Sequence, residues 1–198
     1  MVNIFSRFCE TIRRNKALFI VLILATIGIS VLAIYSAINF ESVAISIEIG
    51  NVSFIKFLRG DSGFIGFVFT SLLTSAVFYI IILLCCCKKF LFPVAVLFYL
   101  YFVYSQIVIF TSVMVIYGFF NVLILILCLL IFLLFEFFVF ILLMLECLSI
   151  CGTHTYFKDC FNSSVSCVGI LSLGLVLLVL MFCLLITILK SFIILLIY

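Results

Sequence analysis

From residue 17 to residue 189 the chain alternates long apolar blocks with short polar breaks. A bilayer core of about 30 Å takes about 20 helical residues at 1.5 Å rise each. Five blocks reach that length, over residues 17–37, 64–87, 90–117, 121–150 and 168–189. The pattern predicts an all-α, polytopic membrane helical bundle with five transmembrane helices, forming one integral membrane domain over residues 1–198. The first block resembles the apolar part of a signal peptide, with Val31 and Ala33 as a cleavage pair. It is long for that role and further spans follow, so an uncleaved signal anchor is expected.

The fourth block is unusual in length. Helical from 119 to 150, it would run about 48 Å, beyond the hydrocarbon core, so it must tilt, kink or protrude. One tilted helix is the simpler reading. A break near Glu136 with two re-entrant halves is the other, although no Gly or Pro lies there to make one.

The polar segments carry patterns of their own. In residues 1–16, Ile4, Phe5, Phe8 and Ile12 fall on one side at helical spacing, with Arg7, Glu10, Arg13 and Arg14 on the other. This predicts an interfacial helix with its basic groups near anionic lipid; a helix that binds protein would show the same pattern. Residues 38–63 form the one sizeable exterior loop. Ile45, Ile47 and Ile49 alternate with Ser46 and Glu48 in a strand-like way, and Phe54, Ile55, Phe57 and Leu58 surround Lys56. So apolar a loop is expected to rest on the membrane surface or on other membrane or exterior proteins. Asn51-Val52-Ser53 fits a glycosylation acceptor and is read as a chance match.

Composition agrees with the pattern. With 70% hydrophobic and 9% charged residues, the chain has too little polar surface to wet a soluble domain of this size. The lipid bilayer is therefore the first partner, and no segment is left to build a separate catalytic domain. All ten Lys and Arg residues lie outside the apolar blocks. Seven of them (Arg7, Arg13, Arg14, Lys16, Lys88, Lys89 and Lys158) fall on one face, and Lys56, Arg59 and Lys190 fall on the other. By the positive-inside rule the N-terminus is cytoplasmic and the C-terminus exterior, in a cytoplasmic (plasma) membrane. The net charge of +3 sits at membrane edges, which argues against a nucleic-acid partner.

Small residues mark where helices approach in lipid. The first block has Thr26, Ser30, Ala33 and Ala37 in one stripe, and the second has Gly63, Gly66, Thr70 and Thr74 in another. Both are expected to face other helices, and they are candidates to face each other. A shorter version, Gly169, Ser172 and Gly174, lies in the fifth block.

Glu136 is the chief chemical candidate. It lies near the middle of the fourth block, where a charge costs at least about 2.5 kcal/mol. Counting rise from the cytoplasmic ends of their blocks places Thr74, Ser75, Tyr101, Tyr104 and Ser30 in the same layer, about 16–21 Å deep. No Lys, Arg or His shares that layer, so a protonated carboxyl is expected. Such a group either pins helices through a hydrogen bond or serves as a proton or cation site. Glu146, near the inner interface, is expected to reach water.

The ten cysteines read as a reduced set, because Cys85, Cys86, Cys87, Cys147, Cys151, Cys160 and Cys167 gather near the cytoplasmic face while Cys128 and Cys183 lie inside spans. Cys147, Cys151, His154 and Cys160 offer zinc-ligand chemistry at irregular spacing, so no metal is expected. Cys85-Cys86-Cys87-Lys88-Lys89 resembles a palmitoylation context at a span end. No nucleophile triad, phosphate loop, HExxH or haem motif is present, and neither an enzyme nor a cofactor is expected.

The order of parts resembles the stage II sporulation protein M family of bacterial integral membrane proteins. Arg13-Arg14-Asn15-Lys16 runs straight into the first span, a single exterior loop follows, and Lys88-Lys89-Phe90 opens the third span. Tyr117-Gly118 then turns into the fourth, and a fifth closes the chain. The family's Gly residues after the basic turn and its Pro in the fourth span have no counterpart here. The resemblance implies a membrane scaffold without catalysis of its own that recruits cell-wall-degrading partners during engulfment of the forespore. The expected function is thus a non-enzymatic scaffold or assembly factor, and the alternative is a small transporter or permease subunit using Glu136.

Overall fold

The computed structural model describes residues 4–39, 56, 60, 63–86, 88–117, 123–151, 169, 173–174, 176–177 and 179–188. The strand-like stretch and glycosylation acceptor of the exterior loop, together with His154, Cys160 and Cys167, lie outside these residues. Among the described residues every regular element is helical. They are α1 (Ile4–Arg14), α2 (Lys16–Asn39), α3 (Phe64–Cys86), α4 (Phe92–Tyr117) and α5 (Leu123–Cys151), followed by a short α6 (Val179–Ile188). Among the described residues, helices α2 to α5 are the four long and apolar enough to cross a membrane. Of the fifth predicted span, Val179–Ile188 is described as continuous helix, and Gly169, Leu173, Gly174, Val176 and Leu177 before it are helical too, with the residues between them outside the described set.

Local sequence explains the boundaries. Asn15 joins α1 to α2 almost without interruption, its N–H donating to the Thr11 carbonyl at 3.0 Å and its carbonyl accepting from Phe19 N–H at 2.9 Å. Between α3 and α4 a 3-10 turn, Lys89–Leu91, takes up residues read from the sequence as the start of the span. Pro93 follows in the first turn of α4, where a helix needs no N–H donor. Helix α5 is continuous through Glu136, so the fourth block is one helix of 29 residues, about 44 Å long, with no re-entrant break.

Side-chain pairs give the topology. Thr26 and Ser36 of α2 meet Tyr99 and Tyr104 of α4 in the same chain order, so α2 and α4 run parallel. Likewise Ser75 and Tyr79 of α3 meet Glu136 and Phe140 of α5, so these two are parallel as well. Helix α4 lies at the centre, packed on α2 most extensively and on α3 and α5 besides. At the other extreme of sequence separation, α1 packs on the C-terminal end of α5.

Aromatic rings fill the middle. Phe102 lies 4.9 Å from Phe78 and 5.0 Å from Phe140 between ring centroids, and Phe140 is also in ring contact with Tyr79 and Tyr99. Residues 141–147 of α5 are buried without interruption, which is almost two helical turns. That end of α5 is therefore enclosed on every side. Inside lipid such packing is held by dispersion and interhelical hydrogen bonds, since apolar surface gains nothing by leaving a hydrocarbon solvent. Outward-facing positions carry large apolar residues, among them Leu24, Val31, Ile65, Phe69, Leu97 and Leu134. An apolar exterior this extensive fits contact with a bilayer.

The two small-residue stripes have different fates. In α2, Ala33 is fully buried while Thr26, Ser30 and Ala37 are half-buried, and α4 supplies the covering surface. Of the second stripe, Gly63 just before α3 and Gly66 and Thr74 within it are exposed and Thr70 is half-buried, and a methyl group placed on Gly63 or Gly66 meets nothing within 4 Å. Here the expectation of a helix contact is corrected among the described residues. Helix α3 turns Phe67, Ser75, Tyr79 and Ile82 inward instead, because the bulkier face holds the groups that α4 and α5 can grip. Gly66→Ala is accordingly expected to leave the bundle as stable as before or to raise stability by up to about 1 kcal/mol through helix propensity. Denaturation of the purified protein in detergent checks this, and a marked loss would place a neighbour against that stripe.

Candidate functional site

A buried polar contact joins α3 to α5. Ser75 Oγ donates to Glu136 Oε1 at 2.9 Å, and Glu136 is only 2% exposed. Its surroundings on α5 are apolar: Leu133, Phe137 and Phe140 are buried in the same core. Ser75 is thus the member of the predicted layer that reaches the carboxyl. Thr74 is exposed and donates to the Thr70 carbonyl of its own helix at 2.9 Å. Tyr101 is 62% exposed, and its ring lies 6.2 Å from that of Phe78 on α3. Ser30 donates to the Thr26 carbonyl at 2.7 Å. Tyr104 pairs with Ser36 at 2.9 Å.

Two further hydroxyl pairs hold α2 on α4. Thr26 spends its proton on the Leu22 carbonyl at 2.7 Å, so at the 2.8 Å contact Tyr99 is the donor and Thr26 the acceptor. Ser36 similarly donates to the Ala33 carbonyl at 2.9 Å and accepts from Tyr104. Tyr99 is buried and Tyr104 half-buried, and each has its phenolic hydroxyl matched on the neighbouring helix, as a donor in hydrocarbon with no water at hand requires. Tyr99 and Ser36 were not among the sequence candidates. Tyr99 stands three and four residues before Phe102 and Val103, so helical spacing puts it on the buried face of α4.

A second buried carboxyl lies at the α1 end of the bundle. Glu146, expected to reach water, is 2% exposed, and Thr11 Oγ1 donates to its Oε1 at 2.8 Å. One turn along, Asn15 Nδ2 donates to Ser149 Oγ at 2.8 Å. Around these contacts Thr11 is buried, and Phe8 and Ile12 are partly buried against the core. The apolar side of α1 therefore faces protein at Phe8, Thr11 and Ile12, where the lipid reading of the sequence placed bilayer. The physical reason is polar: Thr11 and Asn15 sit in that stripe and find matching groups on α5, which acyl chains lack. Phe8, Thr11, Ile12 and Asn15 at offsets 0, 3, 4 and 7 were the signal in the sequence for this contact.

Helix α6 meets the bundle from the side. Phe182 stacks on Phe132 of α5 with centroids 4.0 Å apart, and Cys183 shares a hydrogen bond with Ser71 of α3. Cys9, Cys85 and Cys183 are free thiols. Among the described residues no group of three or more His, Cys, Asp or Glu is placed to hold a metal.

These features define the class: a chain whose regular elements among the described residues are helical, four of them of membrane-spanning length and polarity, pinned inside by pairwise hydroxyl and carboxyl contacts. Comparison with protein-family models, curated proteins and solved structures returned no match.

Proposed function

We propose that this chain is a non-enzymatic multi-pass membrane protein acting as a scaffold or assembly factor. One observation carries the reading: among the described residues Glu136 meets one hydroxyl, Ser75, while the other candidates of its layer are bound elsewhere or exposed. A site that moves protons or cations needs several oxygens converging on one point with a route to water. A single serine against a carboxyl among phenylalanines suits a pin between helices.

In this reading the chain crosses the cytoplasmic membrane five times, with the fifth crossing over 168–189, the N-terminus inside and the C-terminus outside. The contacts of Phe182 and Cys183 with α5 and α3 support a fifth helix beside the bundle, and the excess of basic residues at the α1 end supports the orientation. The exterior residues 38–63 would carry the partner-binding role. A part in sporulation or cell-wall remodelling rests on the family resemblance alone.

Glu136→Gln tests the proposal, since an amide oxygen accepts the Ser75 hydrogen bond without carrying a titratable proton. In the source cell the variant is expected to reach normal membrane levels and to support normal growth and sporulation. Normal levels with lost function would instead establish a proton or ion site and a transporter role.

A further inference from the structure

We propose that the basic residues around α1 form a collar that selects anionic lipid headgroups. The collar draws on three parts of the fold: Arg13 and Arg14 close α1, Lys16 opens α2, and Lys88 lies in the turn between α3 and α4. All four side chains are exposed. The parallel pairing of α2 with α4 brings the start of α2 and the turn before α4 to the same end of the bundle, where Thr11–Glu146 also fixes α1. Glu10 is the acidic side chain exposed on the same helix, so the four cations outweigh it. No ion pair engages any of the four among the described residues.

What makes this more than a basic tail is the way α1 is held. An unattached amphipathic helix keeps its apolar side in lipid and its cations at whatever depth that side dictates. Here Phe8, Thr11 and Ile12 are turned against the bundle, so this C-terminal part of the apolar side is engaged by protein, and the cations beside it are set by the protein. Their attraction to lipid is therefore electrostatic, directed at phosphate-bearing headgroups with net negative charge, and it acts over only about a Debye length. The inference requires that the bundle sit in a membrane and does not depend on the scaffold reading.

The test uses the full chain in phosphatidylcholine vesicles with trace spin-labelled phosphatidylglycerol or spin-labelled phosphatidylcholine. Electron paramagnetic resonance then measures the share of each lipid immobilised by the protein. At low salt phosphatidylglycerol is expected to be favoured by about threefold to tenfold, falling towards parity near 1 M salt. The combined variant Arg13→Gln, Arg14→Gln, Lys16→Gln and Lys88→Gln is expected to remove the preference at low salt, with helix content checked by circular dichroism. Equal immobilisation of the two lipids by the unaltered chain would overturn the proposal, as would a preference that survives the four substitutions. Should the combined variant fail to insert, the salt titration of the unaltered chain decides: a preference that persists near 1 M salt overturns the collar.

Discussion

Phe140→Ala is expected to destabilise the bundle by about 3–5 kcal/mol, the range for emptying a phenylalanine site in a packed core. Phe140 is fully buried and its ring meets Tyr79 of α3, Tyr99 and Phe102 of α4. One truncation thus opens the contacts of three helices at once. Lipid does not soften the loss, because the stabilisation here is contact between close-packed atoms, and a cavity has none to offer. The control is Phe135→Ala on the same helix. Phe135 is 57% exposed, so its removal is expected to shift the unfolding midpoint little. Unfolding of both variants in mixed detergent micelles gives the comparison, and equal midpoints would mean that α5 is rotated relative to the packing described.

Glu146→Ala is the second large effect. The change strips Thr11 of its acceptor while leaving its hydroxyl buried, at a cost of about 1–3 kcal/mol. That cost falls on the seat of α1, so the helix should lift from α5 more often than the bundle unfolds. Tryptic cleavage after Arg13 and Arg14 reads such opening directly, and an increase of about fivefold or more is expected. Pairing Glu146→Leu with Thr11→Val removes both polar partners and should return cleavage close to the starting rate. If Glu146→Ala leaves cleavage unchanged, α1 is held by something other than this bond.

How much of this was readable from residues alone differs from one feature to another. Helix lengths were legible because bilayer thickness is a strict ruler: the second block was read as 64–87 and α3 is Phe64–Cys86. Depth was legible too, since rise per residue placed Ser75 level with Glu136. Rotation was not. Thr74 and Ser75 differ by 1.5 Å in height and by 100° around the axis, and only the latter angle decides which one meets α5. Helices that are apolar on all sides give no amphipathic cue to that angle, which is why Tyr101 and Thr74 share a depth with Glu136 while Tyr101 meets Phe78 and Thr74 its own helix. Glu146 was misread for another reason. Its position near a helix end implied water, but Thr11 lies 135 residues away in sequence and covers it. No local pattern on α5 reports a lid supplied by the chain's first helix.

The pairing of α2 with α4 also has a bearing on biogenesis. Of these four helices α2 is made first and its main partner third, so α2 must wait for that partner while the intervening segment is made. Helix α2 suits that wait, because Thr26, Ser30 and Ser36 each give their proton to a carbonyl of their own helix and bring no bare donor into oil. Helix α5 arrives under opposite terms. It carries two carboxyls, and the hydroxyls that receive them, Ser75 and Thr11, belong to segments synthesised earlier. The order of the chain thus lets the most demanding helix enter last among these four, into a berth whose polar fittings are already installed.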